Sequence, residues 1–442
     1  MEKKGTRPEQ FKVMVGIYLL CFTLVALACI NISPWARNRI FFLSTHESES
    51  SAQNQSTNIP DSNKYSIVSK PDKEKKSESI IMKEEGEKPE EKVDNSTTLK
   101  PPQNKDVCNY AKGKWVVDTR KPFYRGCKYT QRNWVCRLTN RTDFSYENYR
   151  WQSTDCKMPE FEPSDFLKRM RNRVVAFIGD SLSREQFQSM MCMLTGGEET
   201  PDVEDVADQY GFLLVLRGGA VHHHGWAYRF KSTNTTILHA WSARLCDREP
   251  INATDTNTLF AMHLDRQPAF IRNHIDDLGV LVINTAHHWS KQMVNMDKEV
   301  IYLNGEPLKD KYLLKIENAK IFKVNNIVQW LDSKLGSNPN LQVFFRTTSP
   351  RHFLKGEWNT GGKCDSTIPL TRGSEVLKEE SMDKVVADAV NGTRVKILDI
   401  TALSDLRDEA HISHYGKKAN DCLHWCLPGV PDTWNELLSA LV

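Results

Sequence analysis

The apolar run Val174-Val175-Ala176-Phe177-Ile178 breaks off at Gly179-Asp180-Ser181, and an Asp421-Cys422-Leu423-His424 tetrad waits near the far end of the chain. A serine at the carboxyl end of an apolar strand, with an aspartate and a histidine arriving late, is the pattern of a nucleophilic triad. Gly-Asp-Ser alone is a common turn between a strand and a helix. Its pairing with a late Asp-x-x-His is what constrains the fold, because the C-terminal segment must then return to the end of this strand.

The 442 residues open with a different signal. Val13 to Ile32 is a stretch of twenty residues without a formal charge, long enough to span a hydrocarbon core. It exceeds the h-region of a cleaved signal peptide, usually about 7–15 residues, so it reads as an uncleaved transmembrane helix. Lys3, Lys4, Arg7 and Lys12 precede it, against Arg37 and Arg39 after it. The positive-inside bias leaves residues 1–12 cytosolic and sends the rest across the membrane. Residues 33–105, rich from His46 onward in Ser, Lys, Glu, Asn and Pro, bury too little apolar surface to offset their ordering entropy and read as a disordered stem. Their charges are mixed, as in Lys73-Glu74-Lys75-Lys76, and the net charge is only +3, so nucleic acid is not an expected partner.

Cysteine usage fits an oxidising lumen. Cys21 and Cys29 lie in the anchor, and the other nine of eleven fall between Cys108 and Cys426, an odd count that leaves at least one unpaired. Cys422 and Cys426 flanking His424 mimic half of a zinc site, but a second pair at appropriate spacing is missing, so no metal is expected. Sequons at Asn54, Asn95, Asn140, Asn234, Asn252 and Asn391 agree with the lumen.

Within 106–442, residues 106–160 carry Trp115, Phe123, Tyr124, Trp134, Tyr146, Tyr149 and Trp151 among Cys108, Cys127, Cys136 and Cys156. This reads as a disulfide-stapled, loop-rich minor lobe whose aromatics pack or line a carbohydrate groove. Beyond it, Val174–Ile178, Leu278–Ile283, Asn340–Arg346 and Val395–Ile400 read as buried strands. Helical patterns lie between them, from Ser183 onward with Phe187, Met190, Met191 and Leu194 on one face, and over Ile321–Leu335 and Glu375–Ala389. The alternation predicts an α/β fold, a doubly wound parallel sheet with helices on both faces. Ligands of such sheets sit beyond the carboxyl ends of the strands, where Ser181, Asn284 and Thr347–Ser349 all fall.

His424 is the candidate base for Ser181, and Asp421, three residues before it in one loop, the group that orients it. Ser181 would stand at a helix N-terminus, where free amides favour an oxyanion. Other histidines compete. His411 and His414 are alternative bases, His287-His288-Trp289 reaches the presumed active edge, and His222-His223-His224 reads as surface because neighbours on a strand point to opposite faces.

The residues gathered so far resemble the plant trichome birefringence-like family, whose luminal part is a PC-esterase, an SGNH/GDSL-like domain. The resemblance rests on Trp115-Val116 through Tyr149-Arg150-Trp151, on Gly179-Asp180-Ser181-Leu182-Ser183-Arg184, on Asn284-Thr285-Ala286-His287, and on Arg346-Thr347 through Phe353, and covers essentially everything from Cys108 onward. It continues through Trp358-Asn359-x-Gly361-Gly362-x-Cys364 to Asp421 through Asn435. It implies a Golgi, single-pass type II O-acetyltransferase of cell-wall polysaccharides such as xylan, xyloglucan, mannan or pectin. Acetyl-CoA is the expected donor, with no bound cofactor. Ser181 is the implied nucleophile, Asp421 the orienting acid and His424 the base, and Gly179, Asp180, Arg184, Asn284 and His287 are oxyanion or acceptor-site candidates. The resemblance further implies that Cys108, Cys127, Cys136, Cys156, Cys192, Cys364, Cys422 and Cys426 pair among themselves, leaving Cys246 over. Three departures stand out: Glu185 where Asn is usual, Ala286 where Gly is usual, and Glu409-Ala410-His411 for Asp-Gly-His. An acetylesterase with the same triad and a non-catalytic polysaccharide-binding protein are the competing readings.

Overall fold

The computed structural model describes residues 108–442 except 213, 218, 219, 224, 256 and 417–419, with the backbone alone described for the remainder of 213–224. The expected tail, anchor and stem, with Cys21, Cys29, Asn54 and Asn95, lie outside the described residues, as does His224. Among the described residues no helix is long and apolar enough to cross a membrane.

Seven strands build the central sheet: β1 Val174–Gly179, β2 Val203–Asp205, β3 Gly225–Phe230, β4 Thr235–Trp241, β5 Val280–Ile283, β6 Gln342–Arg346 and β7 Lys396–Leu398. Their spatial order is β7-β6-β5-β1-β4-β3-β2. The first five in that order run parallel, with Ile178 of β1 opposite both Ile283 and Ala240. β3 is antiparallel to β4 and β2 to β3, so the sheet is mixed rather than wholly parallel. The cause is local. Only the turn Lys231–Asn234 joins β3 to β4, too short for the crossover a parallel pair needs.

Side chains alternate across the sheet, as the pleat demands. Val175 and Phe177 of β1 join Phe344 and Leu398 in a core beneath helices α1 (Ser181–Thr195) and α4 (Val430–Leu441). Ala176 and Ile178 join Leu281 and Phe345 beneath α2 (Ile316–Ser337) and α3 (Lys384–Val390) on the other face. Strand order reverses at β1: the chain runs from it to β4 on one side, then returns to β5 on the other. The carboxyl end of β1 is therefore the topological switch point, where such sheets bind ligands.

α1 departs from the amphipathic helix expected, since every residue from Leu182 to Leu194 is buried. The minor lobe covers its outer side, where Gln188 accepts from the Gln131 amide. α4 packs beside it, Ser189 donating to Asp432 and Asn435 to the Gln186 carbonyl. The helix expected over Glu375–Ala389 is confined to α3. Glu375–Val376 instead pairs with Gly113–Lys114, adding a third strand to the Gly113–Val117 and Tyr149–Ser153 pair. An unsatisfied strand edge outweighed a weak helix preference.

The disulfides are Cys108–Cys156, Cys127–Cys192, Cys136–Cys426 and Cys364–Cys422, with Cys246 free and buried. Only the first is internal to the minor lobe. The second and third bolt that lobe to α1 and to the segment carrying His424.

Candidate active site

Asp180 follows β1 and caps α1. Its extended backbone lets the carboxylate turn back and accept the Leu182 amide at 3.0 Å. Ser181 is thereby the first helical residue, its hydroxyl at the positive end of the helix dipole. Gly179 is demanded by close approach, because a Cβ there would lie 2.1 Å from Asn284 Oδ1. Asn284 follows β5 and donates to the same Asp180 oxygen at 2.9 Å.

Asp421–Trp425 is a strand rather than the free loop expected. It pairs with His411–Ser413, with Trp425 opposite His411 and Asp421 opposite Ser413, so five residues face three. Residues three apart on a regular strand point to opposite faces; the bulge re-aims them. His424 Nε2 consequently stands 2.7 Å from Ser181 Oγ, and its Nδ1 lies 2.9 Å from Asp421 Oδ2. In the neutral ring the network assigns the proton to Nδ1, which donates to the carboxylate while Nε2 accepts from the serine. Asp421 Oδ1 also takes the backbone amides of Leu423 and His424, which fixes the carboxylate.

Burial disfavours charge on both partners, but their mutual attraction and hydrogen bonds prevail. They hold Asp421 well below the usual carboxylate range and raise His424 to about 9. Glu185, one turn along α1 from Ser181, is fully buried and accepts the Trp425 amide at 2.8 Å. Burial lifts its carboxyl to about 8, and its charge, once formed, favours the imidazolium.

A general base must be neutral to accept a proton, so the rate is expected to climb with pH toward about 9. Replacing Glu185 by Gln removes a negative charge beside His424, lowers the histidine's proton affinity and moves that ascending limb to lower pH. A displacement on the order of one unit corresponds to about 1.4 kcal/mol of lost charge interaction. pH profiles of kcat/KM for both proteins check this; coincident limbs would show that Glu185 does not set the base.

The remaining candidates divide clearly. Arg184 is buried, its guanidinium 4.9 Å from the Trp134 ring centre and 5.7 Å from those of Trp226 and Trp241. Trp134 in turn stacks on His424, with ring centres 5.5 Å apart. His287 donates through Nε2 to the Ser349 carbonyl at 2.8 Å, and burial lowers it to about 4. Neither alternative base reaches Ser181. His411 is buried on Trp425, with its Nδ1 donating to the His424 carbonyl and its Nε2 2.7 Å from His352 Nδ1, while exposed His414 lies 3.3 Å from Asp365. His222 and His223 lie in a separate hairpin strand, Ala220–His223. Both cysteines around His424 are engaged in disulfides, so neither offers a thiolate.

Trp134 is a contributor that the sequence places only in the minor lobe, one aromatic among seven, whereas Ser349 falls at the ligand edge where the sequence puts it. Ser349 accepts the Trp425 indole at 2.9 Å through its hydroxyl and His287 through its carbonyl, tying two active-edge elements together.

A family model described as PC-esterase, a GDSL/SGNH-like acyl-esterase family found in Pmr5 and Cas1p, matches residues 158–441, and a PMR5 N-terminal domain model matches residues 106–157. Two trichome birefringence-like proteins of Arabidopsis thaliana, numbers 14 and 15, are each 54% identical to it over 76% of this chain and 86% and 70% of their own lengths. The chain belongs to the trichome birefringence-like group of the PC-esterase family. Xyloglucan O-acetyltransferase 1 of Populus trichocarpa is 31% identical to this trichome birefringence-like protein, over 76% of the chain and 81% of that enzyme.

Proposed function

We propose that this protein O-acetylates a cell-wall polysaccharide, xylan before xyloglucan, mannan or pectin, by double displacement through an acetyl-serine. The observation that carries the reading is the unbroken relay from Ser181 Oγ to His424 to Asp421. The relative named as a xyloglucan O-acetyltransferase supports a sugar acceptor.

Ser181 Oγ attacks the acetyl carbonyl of the donor, acetyl-CoA, as His424 Nε2 takes the hydroxyl proton. The developing oxyanion meets the positive end of the α1 dipole, which favours negative charge there. His424 returns its proton to the leaving thiolate, and acetyl-Ser181 remains. A sugar hydroxyl then attacks the acetyl carbon while His424 removes its proton, and Ser181 is released when the proton is returned to Oγ. Asp421 holds the ring in the tautomer both half-reactions need. In our reading residues 13–32 anchor the chain in the Golgi membrane, 33–105 form the stem, and 106–442 work in the lumen.

Water in place of the sugar at the second step gives an acetylesterase, a reading favoured by the acyl-esterase description of the family model. Purified full-length protein given acetyl-CoA and xylo-oligosaccharides separates the two. Mass gain of the sugar supports transfer, whereas deacetylation of acetylated xylan without sugar gain supports hydrolysis.

A further inference from the structure

Residues 352–364 form a hairpin with both feet on Cys422, the residue between Asp421 and Leu423 of the candidate relay strand. One foot is the His352 amide donating to the Cys422 carbonyl at 2.9 Å, and the other is the Cys364–Cys422 disulfide. Leu354 and Lys363 exchange both backbone hydrogen bonds, at 2.8 and 3.0 Å, closing the arms. Above them the arms approach so closely that a Cβ on Gly362 would lie 2.7 Å from the Gly356 carbonyl oxygen. The tip is the turn Glu357-Trp358-Asn359-Thr360. Its Thr360 amide donates to the Glu357 carbonyl at 3.0 Å, and the Glu357 amide donates to Thr360 Oγ1 at 2.8 Å.

This rigid support ends in apolar side chains facing water. Trp358 is 42% exposed and Leu354 is 49% exposed. A flexible loop would cost ordering entropy on engaging a ligand; this one has already been ordered by the disulfide and turn. An indole held outward on such a turn presents a flat apolar face with an N–H at its edge, which suits the mixed C–H and hydroxyl surface of a pyranose ring. Trp358 is six residues from either foot, which places the tip within about 20 Å of Cys422 at the rise of an extended chain. Cys422 lies on Asp421–Trp425, so the hairpin stands on the strand that carries Asp421 and His424.

We propose that the Trp358 hairpin is a sugar-binding subsite that holds the acceptor polysaccharide at a distance from the reacting hydroxyl. The assignment rests on the acetyl-transfer reading for its ligand class, but its test does not depend on turnover. Oligosaccharides of xylan, xyloglucan and mannan, each short and long, are titrated calorimetrically into full-length Ser181→Ala protein with and without Trp358→Ala. Loss of about tenfold in affinity for long chains, with a much smaller loss for short ones, is the expected result, and Trp358→Phe restores most of it. Equal losses at every length, no loss, or no saccharide binding to the Ser181→Ala protein would each overturn the subsite. Unaltered thermal unfolding of the Trp358→Ala protein shows that the fold is intact. In the catalytically competent protein the same substitution is expected to raise KM for long acceptors rather than lower kcat. Failure of acetyl-serine to form from the donor alone would remove the acetyl-transfer reading while leaving the binding result standing.

Discussion

Ser181→Ala is expected to lower acetyl transfer by a factor on the order of 10⁴ to 10⁶, because no other group in the relay replaces the nucleophile. Asp421→Asn should fall by about 10⁴, since the ring survives but its proton is then directed to the wrong nitrogen. Intact-protein mass after mixing with donor and no acceptor gives a second readout: one acetyl group on the unsubstituted protein and none on Ser181→Ala. Activity persisting in the alanine variant, or an acetyl group carried elsewhere, would end the double-displacement mechanism. The expected loss is large because the Ser181–His424 contact of 2.7 Å already has the geometry of proton transfer.

Removing the Cys136–Cys426 disulfide by paired Cys→Ser substitution is expected to cost about 2–5 kcal/mol of stability, toward the upper end. The bridged cysteines are 290 residues apart, against 48 for Cys108–Cys156, and the entropy withheld from the unfolded chain grows with loop length. Denaturant unfolding of the two paired variants should therefore rank them in that order. Activity should suffer as well. Cys136 lies two residues after Trp134 and Cys426 two after His424, so the bridge locks the stack between those rings. Equal midpoints for the two variants would mean that the lobe is held by its other contacts, such as the buried Tyr124–Asp432 hydrogen bond at 2.8 Å.

The four strands read from sequence were legible to within two residues because their apolar runs are bounded by turn and charge signals. β4, the parallel neighbour of β1, was not read, although Thr235 to Ala240 are all buried. Val174–Ile178 became β1, and Asn340–Arg346 became β6 after losing its first two residues. The antiparallel edge was not legible. β3 has a mixed burial pattern, and the β3–β4 turn carries no strong signal apart from Asn234, which adopts a left-handed backbone with φ of 51°. The Glu375–Ala389 error has the same origin: a segment with weak local preference takes whatever pairing the surrounding fold leaves open.

The sequence by itself determined the residue types at the candidate site and the end of the strand from which Ser181 emerges, because apolar runs, a turn and an N-cap are local properties. It also determined family membership, which rests on motifs spread from Cys108 onward. Only the tertiary structure decided which histidine reaches Ser181. His424 is the base the sequence favours and His411 its rival; they lie on paired strands, and a bulge turns His424 toward the serine while His411 is buried against Trp425. Register, pairing and disulfide partners depend on contacts between segments apart in the chain, 48 to 290 positions for the disulfides, and no local pattern encodes them.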